Sequence, residues 1–165
     1  MNNDTVQQWF ALYTKSRAEK KVCKALRQKG MVVYLPMRKE LRQWSDRKKW
    51  IEIPIINSYI FVQIPKNDYH KVFEAQGVIS YVSQNGKAVS IPNREIEAMQ
   101  RTVASNLSFD VEESTIRKGQ VVTITSGPLK GIRGEVVDLQ SSRKLYLRIS
   151  HIGYTLVVNL ENESS

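Results

Sequence analysis

The stretch Lys118–Val137, KGQVVTITSGPLKGIRGEVV, constrains this chain more than any other. Val121, Val122 and Ile124 crowd one side of a short Gly/Pro loop, and Ile132, Val136 and Val137 crowd the other. The loop, Gly127-Pro128-Leu129-Lys130-Gly131, combines a proline that presets φ with glycines that tolerate positive φ. Gly134 falls inside the second run, where a glycine marks a bulge or sharp bend of the kind small barrels need. Periodicity alone reads as an ordinary β-hairpin. Short strands are predicted over Gln120–Ser126, Ile132–Leu139, Lys144–Ser150 and Tyr154–Leu160, with turns at Gly127-Pro128, Ser141-Ser142 and Gly153. Roughly 45 residues with this many turns point to a small all-β barrel.

The first two thirds read differently. Gln8–Thr14 alternates as a strand, with Trp9, Ala11 and Tyr13 on one face and Phe10 and Leu12 on the other. Ser16-Arg17-Ala18-Glu19 has the form of a capping box opening a helix, and Gly30 suits its C′ position. Ala18, Val22, Ala25 and Leu26 supply its apolar stripe, which Cys23 borders as a small core residue. Val32–Met37 is a short second strand, and Tyr59–Ile64 is a central one. Between them, Arg38–Trp50 sets Trp44 and Trp50 among charges, with Ser45-Asp46 at the turn of a hairpin tip. Its indoles either stack on nucleic-acid bases or pack back onto the sheet. Asn67 or Asp68 caps a helix running to about Ala75, Gly77 ends it, and Val78–Ser83 is a strand. Asn85-Gly86 is a two-residue hairpin turn before Ala88–Ile91. Arg94–Ala104 is an amphipathic helix whose Ile96, Met99 and Val103 share a face. The order predicts an α+β sandwich over residues 1–104, a polar linker over 105–117, and the barrel over 118–165.

Charge narrows the partners. The net charge is +9, yet Lys15–Trp50 holds 13 Lys/Arg against 3 Asp/Glu, so the excess sits in the first third. Such asymmetry fits a polyanion, most often nucleic acid, although a merely well-solvated surface gives the same signature. A composition of 41% hydrophobic and 25% charged residues is that of a soluble globular protein. No apolar run is long enough to span a bilayer, MNNDTVQQW lacks the form of a signal peptide, and one cysteine fits a reducing compartment. A cytoplasmic protein with no membrane contact is expected.

The order Gly119, Val122, Ile124, Gly127-Pro128, Lys130-Gly131, Gly134 and Val136 resembles the KOW motif, with Gln120 where an acid is usual. Upstream, Trp9-Phe10-Ala11-Leu12-Tyr13, Tyr34-Leu35-Pro36, Ile53 to Val62, Gly77-Val78 with Tyr81-Val82, and Ile91-Pro92 with Glu95-Ile96 resemble the N-terminal (NGN) domain of the NusG family. His151-Ile152-Gly153-Tyr154 completes a similarity running from Gln8 to Leu160. The resemblance implies a ferredoxin-like α+β domain followed by an SH3-like KOW barrel. It implies a transcription elongation or antitermination factor, monomeric and without cofactor, that grips the clamp helices of RNA polymerase. The positions similar to that aromatic cavity are Tyr13, Tyr59, Phe61, Tyr81 and Ile96, although Phe61 also reads as plain core. Lys15, Arg17, Lys20, Lys21 and Lys24 resemble the surface beside the non-template DNA strand. Gly127, Pro128, Leu129, Lys130, Gly131 and Ile152 resemble the barrel surface that meets a small-subunit ribosomal protein or Rho. Asn57-Ser58 stands where housekeeping members have Pro-Gly, which leans toward a specialised paralogue serving particular operons, such as those for polysaccharides.

Two other classes compete. A ribosome-associated KOW protein would bind structured RNA and ignore polymerase. An enzyme would have to work with Cys23, His70 and His151, which are far apart, and neither a Gly-rich phosphate loop nor a CxxC or HExxH spacing occurs.

Overall fold

The computed structural model describes residues 5–113, 119–139 and 142–160. Lys118, Ser141, the first four residues, the last five and positions 114–117 of the expected linker lie outside the described residues. The chain divides into two compact units, Met1–Val89 and Ser90–Ser165. Its architecture is α+β, as the alternation of elements predicts.

The first unit contains β1 (Gln8–Thr14), α1 (Glu19–Gln28), β2 (Val32–Tyr34), β3 (Met37–Gln43), β4 (Lys48–Pro54), β5 (Tyr59–Ile64), a 3-10 segment (Lys66–Glu74), β6 (Val78–Tyr81), β7 (Ser83–Gln84) and β8 (Lys87–Ala88). β2, β5, β1 and β6 lie side by side in that order, antiparallel throughout. Because side chains alternate along a strand, Phe10, Leu12, Ile60, Val62 and Val33 fall on one face. There they meet Val22, Cys23 and Leu26 of α1 and Val72 of the 3-10 segment, which together form the core. Both helical segments of this unit therefore pack on one side of the sheet. β3 and β4 pair only with each other and stand as a two-stranded ribbon.

Two local expectations give way to tertiary structure. The sequence pattern Ser16–Glu19 does not form a capping box: Ala18 is the cap, with no side-chain hydrogen bond. Glu19 is instead buried, and its Oε1 accepts the Ser58 N–H at 3.1 Å. A distant backbone N–H thus takes the carboxylate that the local one would have used. Likewise, neither Asn67 nor Asp68 caps the segment after β5; it starts after Pro65 and winds as a 3-10 helix.

The second unit contains β9 (Ser90–Ile91), α2 (Asn93–Ala104), β10 (Phe109–Glu113), β11 (Gln120–Thr123), β12 (Arg133–Leu139), β13 (Ser142–Ile149) and β14 (Tyr154–Asn159). Its five-stranded antiparallel sheet runs β10-β14-β13-β12-β11. β10 comes from the stretch read as linker: Phe109 to Glu113 pair with Val158 to Tyr154 along the sheet edge. α2 buries Ile96, Ala98, Met99 and Thr102, while Val103, expected on that face, is only half-buried. Glu95 ties α2 to the end of β13, its two carboxylate oxygens accepting the Ser150 N–H at 2.5 Å and the Ser150 hydroxyl at 2.8 Å. Gly134 is required by packing, since a Cβ there would stand 2.8 Å from Leu145 Cδ1 and 3.0 Å from the Tyr146 carbonyl.

Candidate functional site

The register of β1 against β5 decides which aromatics act together. Tyr13 lies directly opposite Tyr59, Ala11 opposite Phe61, and Tyr34 of β2 opposite Phe61 from the other side. All four residues with aromatic rings therefore share the sheet face turned away from α1 and the 3-10 segment. The Tyr13 and Tyr59 rings meet edge to face with centroids 5.4 Å apart, a favoured aromatic geometry. Tyr13 keeps 40% of its surface exposed, whereas Phe61 and Ala11 at the centre of the face are fully buried.

One of the five expected cavity residues, Tyr81, is not in that group. Tyr81 lies opposite Leu12, and so points to the helical side of the sheet. There it stacks on Tyr69 at 4.0 Å, packs edge to face on Phe10 at 5.7 Å, and donates its hydroxyl to the Tyr69 carbonyl at 2.5 Å. Burial, with Tyr69 beside it, pushes the Tyr81 phenol well above its ordinary pKa. Tyr81 is thus a core residue, and the expected single hollow of Tyr13, Tyr59 and Tyr81 is not formed. Ile96 belongs to α2 in the second unit and is buried. Phe61 resolves as core.

Tyr34 is the residue that sequence reasoning passed over. Its ring lies 6.4 Å from that of Phe61, and its hydroxyl is buried without a hydrogen-bond partner among the described residues. Burial raises its pKa strongly, so the phenol stays protonated and keeps a free donor. Tyr34-Leu35-Pro36 was part of the recognisable pattern, and the pairing of β2 with β5 was the missing signal.

The loop that delivers Tyr59 is held from below. Ser58 adopts φ 67°, in the left-handed region that side chains rarely enter. The Glu19 carboxylate holds its N–H, and its carbonyl accepts the Thr14 N–H at 2.8 Å. Both ends of the peptide are therefore pinned beside the Tyr13–Tyr59 pair.

The five basic positions separate by side. Lys20 and Lys24 line a groove with Arg27, Leu35 and Met37, while Lys15, Arg17 and Lys21 are exposed and lie outside it. Trp44 and Trp50 do not pack back onto the sheet, being 44% and 64% exposed. In the second unit the loop Gly127–Gly131 presents Gly127, Pro128, Lys130 and Gly131 to solvent. Leu129 is fully buried beneath them and Ile152 nearly so, so both serve packing rather than surface contact. The Pro128 carbonyl accepts from the Arg101 guanidinium at 2.8 Å.

Burial pushes the Cys23 thiol up by more than Arg27 pulls it down, which leaves little thiolate. Among the described residues no three His, Cys, Asp or Glu side chains group as a metal site, and no helix is long and apolar enough to cross a membrane.

The chain is a two-unit α+β protein with a strand-rich C-terminal module, and comparison with known proteins gives that arrangement a family. The family described as "Transcription termination factor nusG" matches residues 7–100, more than half of the chain. The transcription termination/antitermination protein NusG of Rickettsia typhi is 21% identical over 96% of this chain and 89% of its own. The protein of the same name from Streptococcus pyogenes serotype M3 is 26% identical over 93% of this chain and 92% of its own. A structure titled "Domain interaction in Thermotoga maritima NusG" shares the fold, with a TM-score of 0.54, 22% identity and 92% of each chain covered. The chain belongs to the NusG family of transcription termination/antitermination proteins, and is a transcription factor rather than an enzyme.

Proposed function

We propose that this chain is a specialised elongation and antitermination factor whose first unit grips the clamp helices of RNA polymerase through the Tyr13–Tyr59 face. The carrying observation is that edge-to-face pair, presented at the margin of a rigid sheet with Tyr13 40% exposed. Exposed aromatics fixed by strands lose little entropy on binding and serve as anchors for a helix tip. Tyr34, beside Phe61, extends the same face.

Binding energy alone then performs the function. The clamp holds the factor on the transcribing enzyme while cations around α1 steady the non-template DNA strand, which disfavours the rearrangements behind pausing and termination. The exposed loop residues Gly127, Pro128, Lys130 and Gly131 offer the second unit's surface to Rho or to a small-subunit ribosomal protein. Ser58 supports a departure from the housekeeping form, because it bears a side chain at a left-handed position where glycine is the cheaper residue. Acting on polymerase requires the factor in the cytoplasm, and the reading takes it as a monomer serving particular operons.

Transcription in vitro across a Rho-independent terminator, with and without the protein, tests this reading. Read-through and shorter pauses are expected; unchanged pausing and termination would refute it.

A further inference from the structure

The positive charge of the first unit is not spread evenly around α1. Lys20, Lys24 and Arg27, spaced i, i+4 and i+7, share one side of the helix and rim a groove floored by Cys23, Leu35 and Met37. No carboxylate lines that groove among the described residues. Met37 opens β3, and the register places it on the ribbon face that also bears Lys39, Leu41, Lys48 and Trp50. Helix and ribbon meet where Lys20 Nζ donates to the Glu52 carbonyl at 2.6 Å. Beyond that junction Lys39, Trp50 and Glu52 line a second depression. Trp50 is 64% exposed there, directly opposite Leu41 at 45%. Pairing with Leu41 across the ribbon covers only part of Trp50, which leaves much of the indole open to solvent among lysines.

We propose that this trough, running from Arg27 and Lys24 past Lys20 to Lys39 and Trp50, holds single-stranded DNA. The cations take successive phosphates, and one base stacks on the Trp50 indole. Glu52 is the acid on this path, and its register partner is Lys39. An acidic peptide would match the cations but has no use for a flat indole between lysines, whereas every base has a face to stack. The inference rests on the DNA reading above, and moves the strand from Lys15, Arg17 and Lys21 to the side of α1 facing the ribbon.

The test is titration of the full-length chain with a fluorescent deoxythymidine dodecamer over a range of salt. Trp50→Ala is expected to lower affinity about tenfold and Trp50→Phe to retain most of it. Arg27→Gln with Lys39→Gln is expected to reduce the log–log salt slope by about 1.4, at about 0.7 per phosphate contact on a single strand. Wild-type affinity in Trp50→Ala overturns the proposal. So does a loss confined to Lys15→Gln with Lys21→Gln, which would leave the DNA reading intact, whereas an unbound dodecamer refutes both. Tighter binding of a uridine dodecamer or of a glutamate-rich peptide also overturns it.

Discussion

Replacing Tyr13 and Tyr59 together by alanine is expected to weaken polymerase binding about 100-fold or more, with little loss of fold stability. The argument lies in their position. They pair across β1 and β5 at the margin of the sheet, where Tyr13 is 40% exposed, so the core does not depend on both rings. Anchors of this kind each contribute on the order of 2 kcal/mol to an interface, which for two reaches that fold-change even with strong non-additivity. Phe61 is the informative contrast. It is fully buried, and its truncation costs about 3–5 kcal/mol, so Phe61→Ala lowers binding by unfolding the domain. Pull-down on polymerase, with a melting curve for each variant, separates the two effects. Retained binding in the Tyr13/Tyr59 variant would remove the interface.

Glu19→Ala is expected to destabilise the first unit by about 2 kcal/mol, the range for losing a charged hydrogen-bond acceptor from a partly buried N–H. The lost bond is the one to Ser58, which secures a left-handed residue immediately before Tyr59. Polymerase binding should fall as well, because the Tyr59 ring loses its fixed approach. Ser58→Gly should move stability the other way by about 1 kcal/mol, since glycine adopts that φ without steric cost. Urea unfolding of the two single variants and the double variant checks both. An unaffected midpoint in Glu19→Ala would show that the carboxylate carries no weight there.

How much of this was legible in the sequence follows from the range of the interactions. Alternation in Gln8–Thr14 separated Trp9, Ala11 and Tyr13 from Phe10 and Leu12 correctly, because strand periodicity is local. The same reasoning could not place Tyr81, whose face depends on how β6 registers against β1, next to a register shift at Tyr13/Thr14. Glu19 looked like a capping residue because the sequence displays only near neighbours, and its actual partner is 39 positions away. Phe109–Glu113 looked like linker because an edge strand needs little hydrophobicity, its pairing with β14 being mostly backbone. Leu129 looked like a surface loop residue, yet its tight turn folds the side chain fully inward.

The most direct test of the central claim is to install a photo-crosslinking benzoylphenylalanine at position 59 of the full chain and irradiate it on a halted transcription complex. The account predicts a crosslink mapping to the tip of the polymerase clamp helices, abolished by competing excess of the unlabelled protein. A crosslink elsewhere on the enzyme, or none while the factor remains bound, would contradict it.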